Sequence, residues 1–159
     1  MPVGKKNNAK YISDELYEQI INFMPIACVD LVVSNHIGEI LLLKRKNNPA
    51  KGQWWFPGGR IHFMETRKEA ALRKLREECG LVGEWVKDIG TFDVIMNEGN
   101  NPSHGITTVS LLKVAETKVQ MDQQSLAYAW RSPNEWMEIV ESDFVRMIFE
   151  KYILEANEQ

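Results

Sequence analysis

The chain has 159 residues, 44% of them hydrophobic, which is enough for one well-filled core and too few for two full domains. Its 19 basic and 22 acidic side chains leave a formal charge of -3, so nonspecific attraction to nucleic acid or to an anionic membrane has no electrostatic ground. A nucleotide held in a pocket stays open, because a few placed cations suffice for that. Cys28 and Cys79 lie in apolar local patterns and read as reduced core residues, with neither a disulfide framework nor a metal cluster implied. The polar, basic start of the chain has no secretory segment, and no run is long enough to span a membrane, so the expectation is a cytoplasmic protein.

In chain order, residues 1–10 read as a loose arm. Ser13 caps a short helix running to Phe23, with Leu16, Ile20 and Phe23 on its apolar side, and Pro25 ends it. Ile26 to Ser34 is a β-branched strand with one charge inside it, Asp30, which needs a partner or a task unless it faces water at a sheet edge. A turn follows, in which His36 is a solvent residue, and Ile40 to Lys44 returns as the second arm of a hairpin. Arg45 and Lys46 close that strand with positive charge. A loop over residues 47–53 leads into Trp54, Trp55 and Phe56, aromatics suited to core packing or to a stacking wall for a base or sugar.

Gly58 and Gly59 permit close backbone approach, so that a carbonyl can be presented to a metal. Thr66 and Glu69 form a capping box and Gly80 a C-terminal stop, which predicts a helix from Arg67 to Cys79. Its buried stripe is Ala71, Leu72, Leu75 and Cys79, with Arg73, Lys74, Glu77 and Glu78 on the other side. Two glutamates in the last turn oppose the helix dipole, and a divalent cation would compensate them. The plainer account is a solvated face with i,i+4 pairs from Arg73 to Glu77 and from Lys74 to Glu78.

Beyond the helix, Leu81 to Trp85 and Val86 to Asp93 read as one or two short strands, residues 94–105 as a polar loop, and Ile106 to Ala115 as a long strand. Residues 116–126 are turn-like, Ala127 to Arg131 is a strand, Ser132 and Pro133 start a turn or helix, and Ser142 caps a last helix over residues 141–156. Two substantial helices among irregularly spaced strands argue for a single domain, residues 1–159, built on a mixed sheet flanked by helices.

Gly59, Glu65, Arg73, Leu75, Glu77, Glu78, Gly80 and Leu81 match the box of the Nudix hydrolase family over 23 positions. That resemblance implies an α/β/α sandwich around a mixed β-sheet, magnesium (or manganese) in the active site, and a nucleoside diphosphate-linked substrate. Gly59, Glu65, Arg73 and Gly80 are then the structural residues of the box. One position departs: Lys74 stands where the box has a glutamate. An ammonium there weakens a multi-metal cluster by charge alone, so the expectation is fewer ions, with one magnesium held by Glu78, the Gly58 carbonyl and Glu77.

Residues 13–112 also resemble the GDP-mannose mannosyl hydrolase subfamily, through Pro25, Asp30, Lys44-Arg45, the loop Asn48-Pro49-Ala50 with Gly52, Trp54 or Trp55, and Pro57-Gly58-Gly59-Arg60. The resemblance implies a homodimer that cleaves a nucleoside diphosphate sugar at the anomeric carbon. Arg45 and Arg60 would hold the departing diphosphate, Asp30 would orient Arg45 or substrate, and Trp54 and Trp55 would touch substrate. The subfamily's histidine after a Thr-Thr pair is Val109 here, so the general base is left among His104, Glu77, Glu98 and Glu65. A carboxylate base goes with attack at phosphorus, and a Nudix-like binding domain without turnover is the remaining alternative.

Overall fold

A computed structural model describes residues 12–98 and 101–159, so the expected arm over residues 1–10 and part of the 94–105 segment lie outside it. The element order is α1 (Asp14–Phe23), β1 (Ile26–Ser34), β2 (Ile40–Arg45), β3 (Trp54–Trp55), β4 (Gly58–Arg60), α2 (Arg67–Cys79), β5 (Gly83–Glu98), β6 (Asn101–Val114), β7 (Ser125–Arg131), α3 (Pro133–Ile139) and α4 (Asp143–Asn157).

Strand β1 is the centre of the sheet. It runs antiparallel to β2 and β4 and parallel to β6, the last along its full length from Ile26 opposite Gly105 to Ser34 opposite Lys113. The order is β3-β2-β1-β6-β5, with β7 paired to β2. Because successive side chains of a strand point to opposite faces, the apolar run of β1 supplies two cores. Val29, Leu31 and Val33 pack with Ala70, Ala71, Leu75 and Cys79 of α2. Val32 packs on the other face with Trp136 of α3 and with Val145, Ile148 and Phe149 of α4. The result is the expected α/β/α sandwich on a mixed sheet. Trp136 joins the layers: its indole N–H donates to the Ile40 carbonyl at 2.8 Å, and its ring lies 5.2 Å from that of Trp54.

Two expectations need correction. The polar loop over residues 94–105 is instead made of the two arms of a long hairpin, paired from Gly83 opposite Val114 to Glu98 opposite Asn101. Half-buried Val94 and Met96 reach the core while Asp93, Ile95 and Asn97 face out, so polar outward positions conceal a period of two. Register shifts at Trp85/Lys87 and Asp88/Gly90 bend β5 where a break between two short strands was expected. Second, the apolar side of α1 does not enter the core. Leu16 and Phe23 are exposed, Phe23 by 85%, whereas Tyr17 and Ile21 line a cleft.

Candidate active site

A cleft of about 620 Å³ opens where β1, β4 and α2 meet the loop after β2 and the β5–β6 hairpin. Helix α2 is fixed at both ends: Thr66 and Glu69 complete the capping box, and Gly80 closes the C-terminus in the left-handed conformation, φ 66°. Arg73 ties the helix to the strand before it. Its guanidinium donates to Glu65 at 2.6 and 2.9 Å, to the Arg60 carbonyl at 2.9 Å and to Glu77 at 3.0 Å. Glu69 serves the cap, and Glu65 is the carboxylate that meets Arg73 with two bonds. Burial alone would raise the Glu65 carboxyl, but the bonds from Arg73 and from the His62 N–H outweigh it and hold it below its ordinary value. Engaged in this way, Glu65 faces Arg73 and is not in the cleft lining.

The two glutamates of the last turn part company. Glu78 is buried, 8% exposed, in the cleft wall, while the Glu77 side chain is half exposed and outside it. Glu78 Oε1 pairs with Lys74 Nζ at 2.8 Å, and Oε2 accepts from the Gly58 N–H at 3.1 Å. The i,i+4 pairs exist, but the solvated face does not: Glu78 belongs to the buried side. Burial raises its carboxyl above the usual value, against the pull of Lys74 and the Gly58 N–H. Gly58 itself admits no side chain, since a Cβ would lie 2.2 Å from the Val29 carbonyl oxygen. The bonds that flank it, Leu31 N–H to Pro57 and Ile61 N–H to Ala27, leave its own N–H and carbonyl pointing away from β1 toward α2.

Asp30 accepts a 2.7 Å bond from the Thr107 hydroxyl across the β1–β6 pairing. Arg45 is held separately, by its Nε donating to the Pro49 carbonyl at 2.7 Å, so Asp30 does not hold Arg45 directly. Burial, reinforced by the Glu78 charge, pushes the Asp30 carboxyl up to about 6, although Thr107, Trp55 and Arg45 oppose it. Arg60 lies over the Tyr17 ring at 5.5 Å and lines the cleft with Arg45 and Lys74. His104 is exposed on β6 and also lines it. Three fixed cations thus face two carboxylates, Asp30 and Glu78, and the cleft is suited to an anion although the chain is negative.

The two tryptophans part: Trp54 packs on Trp136 beneath Lys44, outside the cleft, whereas Trp55, largely buried against Phe144, also lines the cleft beside Asp30. Glu98 accepts from the Ala50 N–H at 3.0 Å and is not in the cleft lining. Thr107 and Tyr17 were not singled out. The parallel register of β1 and β6 reveals Thr107, and Tyr17 has no local signal, because the docking of α1 is not written in its own pattern.

Magnesium is the ion the resemblance implies, and the cleft wall offers it two candidate donors. Glu78 and the inward-turned Gly58 carbonyl would hold it, which suits a cation that keeps several waters and takes substrate phosphates as further ligands. Glu77, the third donor expected, pairs with Arg73 and is not in the cleft lining.

The NUDIX domain family matches residues 24–148, and the chain belongs to that family. The Low-salt glycan biosynthesis protein Agl8 of Haloferax volcanii is 33% identical over 117 residues, which cover 71% of this chain and 74% of that protein. An ADP-ribose pyrophosphatase of Methanocaldococcus jannaschii is 34% identical over 113 residues, 70% of this chain and 64% of the other. A MutT protein from Methanosarcina mazei Go1 superposes with TM-score 0.73 at 26% identity, over 83% of this chain and 96% of its own. The NUDIX domain of Shewanella oneidensis NrtR, complexed with ADP ribose, shares the fold with TM-score 0.70 at 19% identity, over 83% and 88% of the two chains.

Two outcomes are expected. Arg73→Ala strands the buried Glu65 carboxylate and lowers the unfolding free energy by about 3–5 kcal/mol in urea titration, while the double variant Arg73→Met, Glu65→Leu recovers part of the loss. An Asp30 carboxyl whose value rises on folding from 3.8 to about 6 contributes stability below 3.8 that is lost as pH rises through 6. Asp30→Asn is therefore more stable than the parent by about 3 kcal/mol near neutral pH, and the two converge near pH 4; an unchanged gap at both pH values would contradict this.

Proposed function

We propose that this Nudix protein is a hydrolase of a nucleoside diphosphate sugar, GDP-mannose-like, and that it releases nucleoside diphosphate and free sugar by water attack at the anomeric carbon. The observation that carries the reading is the cleft with Arg45, Arg60 and Lys74 in its wall, a fixed positive lining for a leaving diphosphate. Arg45 and Arg60 bind phosphate oxygens through guanidinium forks, and Glu78 with the Gly58 carbonyl takes the ion that accompanies the diphosphate. Magnesium, when bound, supplies further positive charge to the leaving group.

His104 is the base of this reading: one imidazole nitrogen takes the proton of the attacking water from the hairpin side of the cleft. Of the other candidates, Glu65 is closed in its clamp, and Glu77 and Glu98 lie outside the cleft lining. Similarity to a glycan biosynthesis protein agrees with a sugar-linked substrate. The second reading is a pyrophosphohydrolase that attacks phosphorus of a nucleotide sugar or nucleoside triphosphate, and similarity to an ADP-ribose pyrophosphatase favours it. A binding domain without turnover has least support.

A homodimer belongs to the same proposal, because α1 leaves Leu16, Phe23 and Met24 exposed. No helix among the described residues is long and apolar enough to cross a membrane, and the cytoplasmic location remains part of the proposal.

Turnover of GDP-mannose and ADP-ribose with magnesium in ¹⁸O-labelled water separates the readings: label in the sugar supports carbon attack, and label in phosphate sinks it. His104→Gln should lower kcat by about 10²–10⁴-fold with KM little changed, and an unchanged kcat removes His104 as base. Glu78→Gln should abolish the magnesium response, whereas a parent protein that turns over nothing in such a panel is the binding domain. Light scattering is expected to give twice the chain mass for the parent and a smaller mass for Phe23→Glu.

A further inference from the structure

Lys74 occupies the place of a glutamate in the Nudix box, and its ammonium has a defined position. Nζ lies 2.8 Å from Glu78 Oε1 and 3.6 Å from Glu77 Oε2. The stem packs along Gly59, where an added Cβ would come within 2.8 Å of Lys74 Cε. The side chain is only 14% exposed and forms cleft wall beside Gly58, Arg60 and Glu78. An ammonium has three N–H donors, and Glu78 takes one of them at hydrogen-bond distance. The rest of its charge is presented where two guanidinium groups already stand.

We propose that Lys74 is a diphosphate-binding residue, a resident cation that with Arg45 and Arg60 retains a nucleoside diphosphate in the cleft without a divalent ion. The inference rests on the nucleotide reading above and adds to it the order in which charges arrive. A glutamate at position 74 would set three carboxylates in the wall, and phosphate could enter only behind metal. Lysine reverses the local sign, so phosphate is attracted first and a single ion can follow with it. Glu78 and Gly59 hold the lysine before the ligand arrives, which limits the rotamer entropy lost on binding.

Titration calorimetry with GDP and ADP as probes, in EDTA and in magnesium, tests this on the parent chain, Lys74→Met, Lys74→Arg and Lys74→Glu. The parent is expected to bind one of the probes in EDTA. Lys74→Met should weaken that binding by about 10–100-fold, and Lys74→Arg by only a fewfold. Lys74→Glu should bind only in magnesium, and should bind manganese more tightly than the parent when nucleotide is absent. Thermal midpoints report folding, and if Lys74→Met does not fold, Lys74→Gln, which still donates to Glu78, reads the same loss of charge. Parent binding that vanishes in EDTA but returns in magnesium overturns the proposal and leaves the nucleotide reading intact. Equal EDTA affinity of parent and Lys74→Met overturns it too, with Lys74 reduced to a partner of Glu78. Failure of both probes to bind the parent in either condition overturns the nucleotide reading itself and this inference with it.

Discussion

The Arg73 guanidinium is the joint on which the site depends. A helix beside a sheet can slide and rotate while its apolar stripe stays buried, because hydrophobic contact is not directional. Hydrogen bonds to Glu65 and the Arg60 carbonyl, both outside the helix, remove that freedom, and Glu77 on the same helix steadies the planar fork that makes them. Once α2 is set against β4, Glu78 meets the Gly58 N–H, and Gly59 lies along the Lys74 stem. The chemistry of the cleft follows from this mechanical lock.

Charge is unevenly shared in this small protein. The chain carries a formal excess of acid, while the cleft holds Arg45, Arg60 and Lys74 against Asp30 and Glu78. Each carboxylate already has a donor: Thr107 serves Asp30, and Lys74 with Gly58 serves Glu78. The guanidinium groups are positioned by neutral partners, Arg45 by the Pro49 carbonyl and Arg60 by the Tyr17 ring, and neither partner cancels their charge. A pocket arranged in this way keeps positive potential for a ligand, and its low-dielectric walls strengthen it.

Legibility in the sequence followed the range of the interactions. Helix α2 was readable to the residue because Thr66, Glu69 and Gly80 act on their own neighbours. Strand β1 was readable for a similar reason, since a β-branched run between Pro25 and a turn has few other uses. The hairpin arms over residues 94–105 were not, because their pairing spans partners distant in the chain and their outward side chains are polar. Glu78 was assigned to the wrong side of its helix: helical periodicity places a residue by angle, whereas β4 brings a buried polar contact to that angle. An aromatic run carries no mark of which ring faces core, and only the partners on α3 and α4 separate Trp54, outside the cleft, from Trp55, in its wall. Tyr17 depended wholly on where α1 came to rest.

The bond from the Ala50 N–H to Glu98 acts as a strut. Ala50 sits at φ 59° in the loop that holds Arg45, and Glu98 ends the strand whose partner carries His104. One hydrogen bond thus ties the loop that positions Arg45 to the hairpin that carries His104. Under the function proposed above, the gap between a cation on one bank and an imidazole on the other would act as a calliper, sorting substrates by the distance from phosphate to reacting atom before any recognition of the base.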